Sequence, residues 1–235
     1  MTESNPRGPR SRIRRIVGGF WFNLFAAIVV VALVQTFFVK LYSVPSGSME
    51  QTLQVNDRIL VNRVQYGFSD PKPGDVIVFN ASDAWEKESP DPTNPLSYAL
   101  KWLGGVVGIG PTLEHTLVKR IVAGPGQRVS CCDAAGNIEV DGKSLDETYA
   151  FENLPFVPGA LDCESIQISA RCFGDYTVPD GKYLVLGDHR SNSNDSVAAC
   201  RGGPVTEACV KLVNRDDIIG RAFAVALPPW HWRGL

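Results

Sequence analysis

Histidine is scarce, with three in 235 residues, and no two of the six cysteines form a C-x-x-C pair. Together these gaps argue against a zinc site built on paired cysteines or histidines. An excess of positive charge is also missing: 23 Lys and Arg stand against 25 Asp and Glu, a net of −2, which argues against a general nucleic-acid binder. Low-complexity sequence and internal repeats are absent, so collagen and solenoid arrays are excluded, and 44% hydrophobic content excludes a disordered chain. Beyond residue 40 no window holds a sustained helical period, and no second apolar run is long enough to span a bilayer; Phe223–Leu227 is too short.

One absence is local. From Ile16 to Val39 no residue is charged, over 24 positions rich in Phe, Ala, Val, Leu and Ile. As a helix this run reaches ~36 Å, enough for a ~30 Å hydrocarbon layer. Arg7, Arg10, Arg12, Arg14 and Arg15 precede it, Trp21 suits a membrane interface, and Lys40 closes the far end. A cleaved secretory signal has an apolar region of only ~7–15 residues, so the run reads as an uncleaved anchor. The positive-inside rule places residues 1–15 in the cytoplasm as a basic tail, 16–39 in the plasma membrane, and 40–235 outside. The charge split agrees. Six of the 23 basic and one of the 25 acidic residues fall in the first 40, leaving 17 against 24 in the remainder.

The cysteines fit an oxidising exterior. Cys163 with Cys172, and Cys200 with Cys209, bracket short loops that suit local disulfides. Cys131 and Cys132 are adjacent, and a vicinal bridge, free thiols and exchange with the others all remain open for them.

The exterior part reads as mostly β. Arg58–Val64, Val76–Phe79, Leu117–Val122, Tyr183–Leu186 and Ile218–Leu227 carry strand patterns between turns such as Gly124-Pro125-Gly126. The expected architecture is one N-terminal transmembrane helix followed by an extracytoplasmic β-sheet or β-barrel-like catalytic domain, with a small disulfide-containing accessory lobe. The core is assigned to 40–129 and 179–235. A Pro-rich loop excursion occupies 81–116, and the lobe occupies 130–178.

Three places could carry chemistry. Pro45-Ser46-Gly47-Ser48-Met49 sets two hydroxyls in a tight segment, and a Ser hydroxyl needs a base to become a nucleophile. Of the histidines, His115 lies in the excursion and His231 near the last residues, and only His189 sits in a dense polar motif. Lys119 lies in a β-rich apolar stretch, where burial would disfavour its charged form and make it a base. Gly187-Asp188-His189-Arg190-Ser191-Asn192-Ser193-Asn194-Asp195-Ser196 follows an apolar strand and reads as a solvated loop or a site wall.

These segments, with Leu53, Gly74-Asp75-Val76-Ile77-Val78-Phe79 and Lys119-Arg120-Ile121-Val122 before Gly124-Pro125-Gly126, resemble the four boxes of bacterial type I signal peptidases, in order and behind an anchor. The resemblance covers roughly 16–80, 117–129 and 181–227. It implies a membrane-bound serine endopeptidase that removes signal peptides from secretory preproteins after a small-x-small site such as Ala-x-Ala. Ser48 matches the nucleophile and Lys119 the general base. Ser193 matches the hydroxyl that orients the Lys amine. The Ser46 hydroxyl and the Ser48 N–H match the oxyanion donors, and Asp195 and Arg190 match structural charges. Val44, Met49, Leu53 and Leu117 are candidate substrate-pocket residues, though each could equally be core. Partners are the preprotein signal peptide and the lipid bilayer, with no nucleic acid, no cofactor and no metal.

Two departures stand out. His189 occupies a place where Asn is common, and reads as structural. An Arg often follows the Asp-Ser pair directly, whereas here Val197 does, with Arg201 further on. The competing assignments are a related Ser-Lys membrane peptidase with a narrower substrate and an inactive anchored binding module. A penicillin-binding enzyme would need Ser-x-x-Lys and Lys-Thr-Gly, and neither fits: Met49-Glu50-Gln51 follows Ser48.

Overall fold

A computed structural model describes residues 19–82, 85 and 116–235. The basic tail, nearly all of the 81–116 excursion and His115 lie outside the described residues.

The first described element is helix α1 (Phe20–Phe37). It has 18 residues and therefore a length of ~27 Å. Among the described residues no helix is long and apolar enough to cross a membrane. This corrects the extent expected of the apolar run. Its last residue, Val39, belongs instead to strand β1 (Val39–Ser43), where it pairs with Asn62 of β2 (Arg58–Asn62). The side chains of Phe20, Trp21, Phe25 and Ile28 on α1 are all exposed.

After α1 the described chain is strands joined by turns, with only three-residue 3-10 segments as helix. β3 (Val76–Asn80) and β4 (Thr116–Ala123) pair in antiparallel register, with Ile77 opposite Lys119. β9 (Lys182–Leu186), β10 (Val213–Asn214), β11 (Ile218–Leu227) and β12 (Arg233–Gly234) complete the larger sheet, in the order β1-β2-β11-β3-β4-β9-β10, with β12 beside β11. Bulges interrupt the pairing of β11 with β2 and β3, and of β4 with β9. The fold is thus mostly β and antiparallel, as the strand patterns predict.

β3 explains why its sequence runs apolar without alternation. Val76 and Val78 point into one core layer, with Tyr42, Val44, Met49, Leu53, Ile59, Val61 and Val225. Ile77 and Phe79 point into the other, with Tyr66, Trp85, Ile121, Tyr183 and Val185. Both faces are covered, so no position is left for a polar side chain.

The smaller sheet has the order β7-β6-β5-β8, from β5 (Arg128–Cys131), β6 (Ile138–Val140), β7 (Lys143–Ser144) and β8 (Phe173–Thr177). It shares a core with the larger sheet, where Val129, Cys131, Ile138 and Phe173 meet Val122, Leu184, Leu186 and Val197. Disulfides join Cys163 to Cys172 and Cys200 to Cys209. Cys131 and Cys132 are bonded to each other.

Candidate active site

Lys119 lies on β4 between Val118 and Arg120. Strand alternation puts it on the face shared by Leu117 and Ile121, which pack into the layer of Ile77 and Phe79. It is 4% exposed. Ser48 sits in a 3-10 turn, Gly47–Met49, and is 8% exposed. The two come from positions far apart in sequence, yet Lys119 Nζ lies 2.5 Å from Ser48 Oγ. Ser46 Oγ is 3.5 Å from Ser48 Oγ. A cavity of about 720 Å³ opens over this pair, lined among others by Ser46, Gly47, Leu117 and Ser193. A hydroxyl beside a buried amine, under an open cavity, suits nucleophilic attack on a carbonyl.

The other expected residues divide. Ser193 borders the cavity, and its Oγ is buried with no hydrogen-bond partner among the described residues. Leu117 also lines the cavity. Val44, Met49 and Leu53 do not; each is at most 2% exposed and packs in the core layer beneath the turn. Their apolar character serves to seat the Ser48 turn. Asp195 is fully buried, accepts from the Gly187 N–H at 3.4 Å, and pairs with Arg201 at 3.1 Å. The displaced arginine therefore still reaches it. Arg190 donates from Nε to the Gly187 carbonyl at 3.0 Å and pairs with Glu147 at 2.5 Å.

Further residues of the site had no assigned role in the sequence. Arg120 grips Asp188 with two parallel bonds, 2.8 Å from Nε and 2.7 Å from Nη2. It also donates to the Gly74 carbonyl at 2.9 Å and stacks 4.0 Å from the Tyr149 ring centre. Thr52 donates to the same Asp188 carboxylate at 2.5 Å. One carboxylate thus ties together the segments that carry Ser48, Lys119 and Ser193. Arg120 and Asp188 lie inside quoted motifs, next to Lys119 and Gly187, but adjacency alone does not reveal that they pair.

Gly187 has a steric reason. A Cβ there would lie 2.6 Å from Ser193 Cβ and closer still to Ser193 Oγ and the Ser48 carbonyl oxygen. The loop therefore passes directly against the backbone of Ser48, whose carbonyl accepts from the His189 N–H at 3.1 Å. The accessory segment holds this loop from outside. Phe151 N–H donates to the Asp188 carbonyl at 2.7 Å, and Arg190 N–H donates to the Phe151 carbonyl at 3.0 Å.

Neither described histidine is hydrogen-bonded as a base to the Ser48 hydroxyl. His231 pairs with buried Asp57 at 2.9 Å. The sulfurs of Cys132, Cys163 and Cys172 cluster within 4.8 Å, but all three are in disulfides, so none offers a thiolate to a metal.

Comparison with known proteins fits this geometry. Residues 19–227 match the family described as "Signal peptidase, peptidase S26". The chain is 35% identical to "Probable signal peptidase I" of Mycobacterium leprae (strain TN), over 90% of this chain and 78% of that one. It is 33% identical to "Signal peptidase I" of Mycobacterium tuberculosis (strain CDC 1551 / Oshkosh), over 95% and 77%. A solved structure of a signal peptidase I from Enterococcus faecalis V583 is 23% identical, with a TM-score of 0.34, covering 65% of this chain and 97% of that one. With the family matched over most of its length, and relatives above 30% identity, the chain belongs to the signal peptidase, peptidase S26, family and is a serine endopeptidase, a hydrolase of the peptide bond.

Proposed function

We propose that the chain removes signal peptides from exported preproteins after a small-x-small site, with Ser48 as nucleophile and Lys119 as general base. The observation that carries this reading is the 2.5 Å approach of Lys119 Nζ to Ser48 Oγ at the base of an open cavity. The neutral amine takes the hydroxyl proton as Oγ attacks the scissile carbonyl. The Ser48 N–H and the Ser46 hydroxyl stabilise the oxyanion. The lysine ammonium then returns its proton to the leaving amine, giving an acyl ester on Ser48. A water molecule, deprotonated by the same amine, cleaves that ester. Ser193 Oγ, buried and without a hydrogen-bond partner among the described residues, orients the amine in this reading.

Burial favours the neutral form of Lys119, because an ammonium loses solvation in an apolar layer. Activity therefore declines as falling pH protonates the amine. The substrate adds as an extended strand beside β1 and the start of β4, near Ser43–Pro45 and Leu117. The exposed apolar side chains of α1 support a membrane anchor, and exposed Trp230 and Trp232 support a second contact with lipid. In this reading the catalytic domain faces outward. The test compares wild type, Ser48→Ala and Lys119→Ala on a preprotein with an Ala-x-Ala site, in detergent or liposomes. Mature product from wild type alone, with all three folded, supports the dyad. Cleavage by Lys119→Ala at the wild-type rate refutes the lysine base.

A further inference from the structure

We propose that His189 is a positioning residue of the oxyanion site, holding the peptide group whose N–H belongs to Ser48. This inference rests on the reading of Ser48 as nucleophile.

The argument begins with Gly47. Its carbonyl and the Ser48 N–H belong to one planar peptide unit, and in a trans unit they point in opposite directions. Whatever fixes the Gly47 oxygen therefore aims the Ser48 N–H. Glycine leaves the backbone on its side of that unit soft. A polar group must hold the plane if the N–H is to be preorganised for a developing oxyanion. Two donors do so. The Glu50 N–H reaches the Gly47 oxygen at 3.0 Å from within the turn, and His189 Nδ1 reaches it at 3.2 Å from the facing loop. The His189 backbone N–H holds the next carbonyl, that of Ser48, at 3.1 Å. One residue thus grips the peptide groups on both sides of the nucleophile.

The ring is itself oriented. The single Nδ1 proton is shared between the Gly47 oxygen and Glu50 Oε2, which lies 2.9 Å away, and Nε2 lies 3.1 Å from Glu152 Oε2. The Phe151 ring packs edge-on at 5.1 Å between centres. Every polar atom facing the two ring nitrogens is an acceptor, so Nδ1 must carry a proton whenever it binds Gly47. Glu50 also lies close over residue 47, where a Cβ would stand 3.0 Å from its carboxyl carbon. Any side chain at position 47 would push that carboxylate aside from its place beside His189.

The two ring nitrogens can be separated by substitution. Asn places an amide donor near the Nδ1 position, Gln places one near Nε2, and Ala supplies neither. The experiment measures kcat and KM of the full chain in detergent on an Ala-x-Ala preprotein, with wild type and Ser48→Ala alongside. The expected result is that His189→Asn keeps kcat within about threefold, while His189→Gln and His189→Ala lose about tenfold, with KM nearly unchanged. Thermal unfolding establishes that each variant is folded. His189→Gln matching wild type while His189→Asn falls with His189→Ala would overturn the inference, because the outer nitrogen would then be the one that matters. Equal kcat in all the folded His189 variants overturns it too, with the Ser48 reading intact. Ser48→Ala as active as wild type, or an inert wild type, overturns both.

Discussion

Gly187→Ala adds one methyl group at the most crowded point of the site. The new Cβ would stand 2.6 Å from Ser193 Cβ, where ordinary contact begins at 3.4 Å, so the two surfaces must part by ~0.8 Å there. The Ser48 carbonyl oxygen lies closer and must move further, and it is backbone, so no rotamer change can absorb the overlap. Its bond from the His189 N–H, 3.1 Å in the native chain, stretches as the loop and turn separate. Overpacking of this kind costs about 1–3 kcal/mol, which a domain of ordinary stability survives. A displacement approaching 1 Å between a nucleophile and its base costs about 100-fold in rate. The assay is kcat on an Ala-x-Ala preprotein, beside the denaturant midpoint. The expected variant is folded, mildly destabilised and about 100-fold slower. A folded Gly187→Ala protein with wild-type kcat would refute the claim that this contact sets the position of Ser48.

Two further outcomes follow from the neighbouring groups. Arg120→Lys keeps a positive charge but loses the two-point grip on Asp188 and the stack on Tyr149, so it should cost about 2–3 kcal/mol by denaturant unfolding and lower kcat as well. Burial, followed by the nearby Glu147 carboxylate, pushes the Tyr149 phenol up to about 12, above its unfolded value of about 10. Its contribution to stability is complete below pH 10 and is lost as pH rises through 12. Tyr149→Phe should therefore show a shallower fall in Tm between pH 10 and pH 12, and an unchanged alkaline slope would refute the assignment.

The strands were legible because their signals are local. Val76–Phe79 is an apolar run cut off by a turn, and both its faces prove to be covered. Ile218–Leu227 reads as a strand and is one, β11. The apolar N-terminal run misled at its end, because Val39 is as good a strand residue as a helix residue, and pairing with Asn62 decides between them. In the site, motif order brought forward Ser48, Lys119 and Ser193. Thr52 and Asp188 remained silent because their partnership spans 136 positions and depends on the folded register. Val44, Met49 and Leu53 look alike as pocket or core, since both demand apolar side chains, and only the path of the cavity separates Leu117 from them.

The strand order carries a consequence for how activity arises. Ser48 follows the β1 strand of one antiparallel pair, β1–β2, while Lys119 belongs to another, β3–β4, and within the sheet β11 is inserted between the two. Among the described residues no strand pairing joins the two pairs directly. The first pair closes over the short link 44–57 and the second over the long link 81–115, and the alignment of the two waits for β11, far along the chain; such long-range pairing is the slow part of β folding. Before β11 joins the sheet, Ser48 and Lys119 thus belong to separate strand pairs that no shared strand aligns. On the proposed Ser48–Lys119 reading, hydrolytic power therefore arises only when β11 has joined the two pairs.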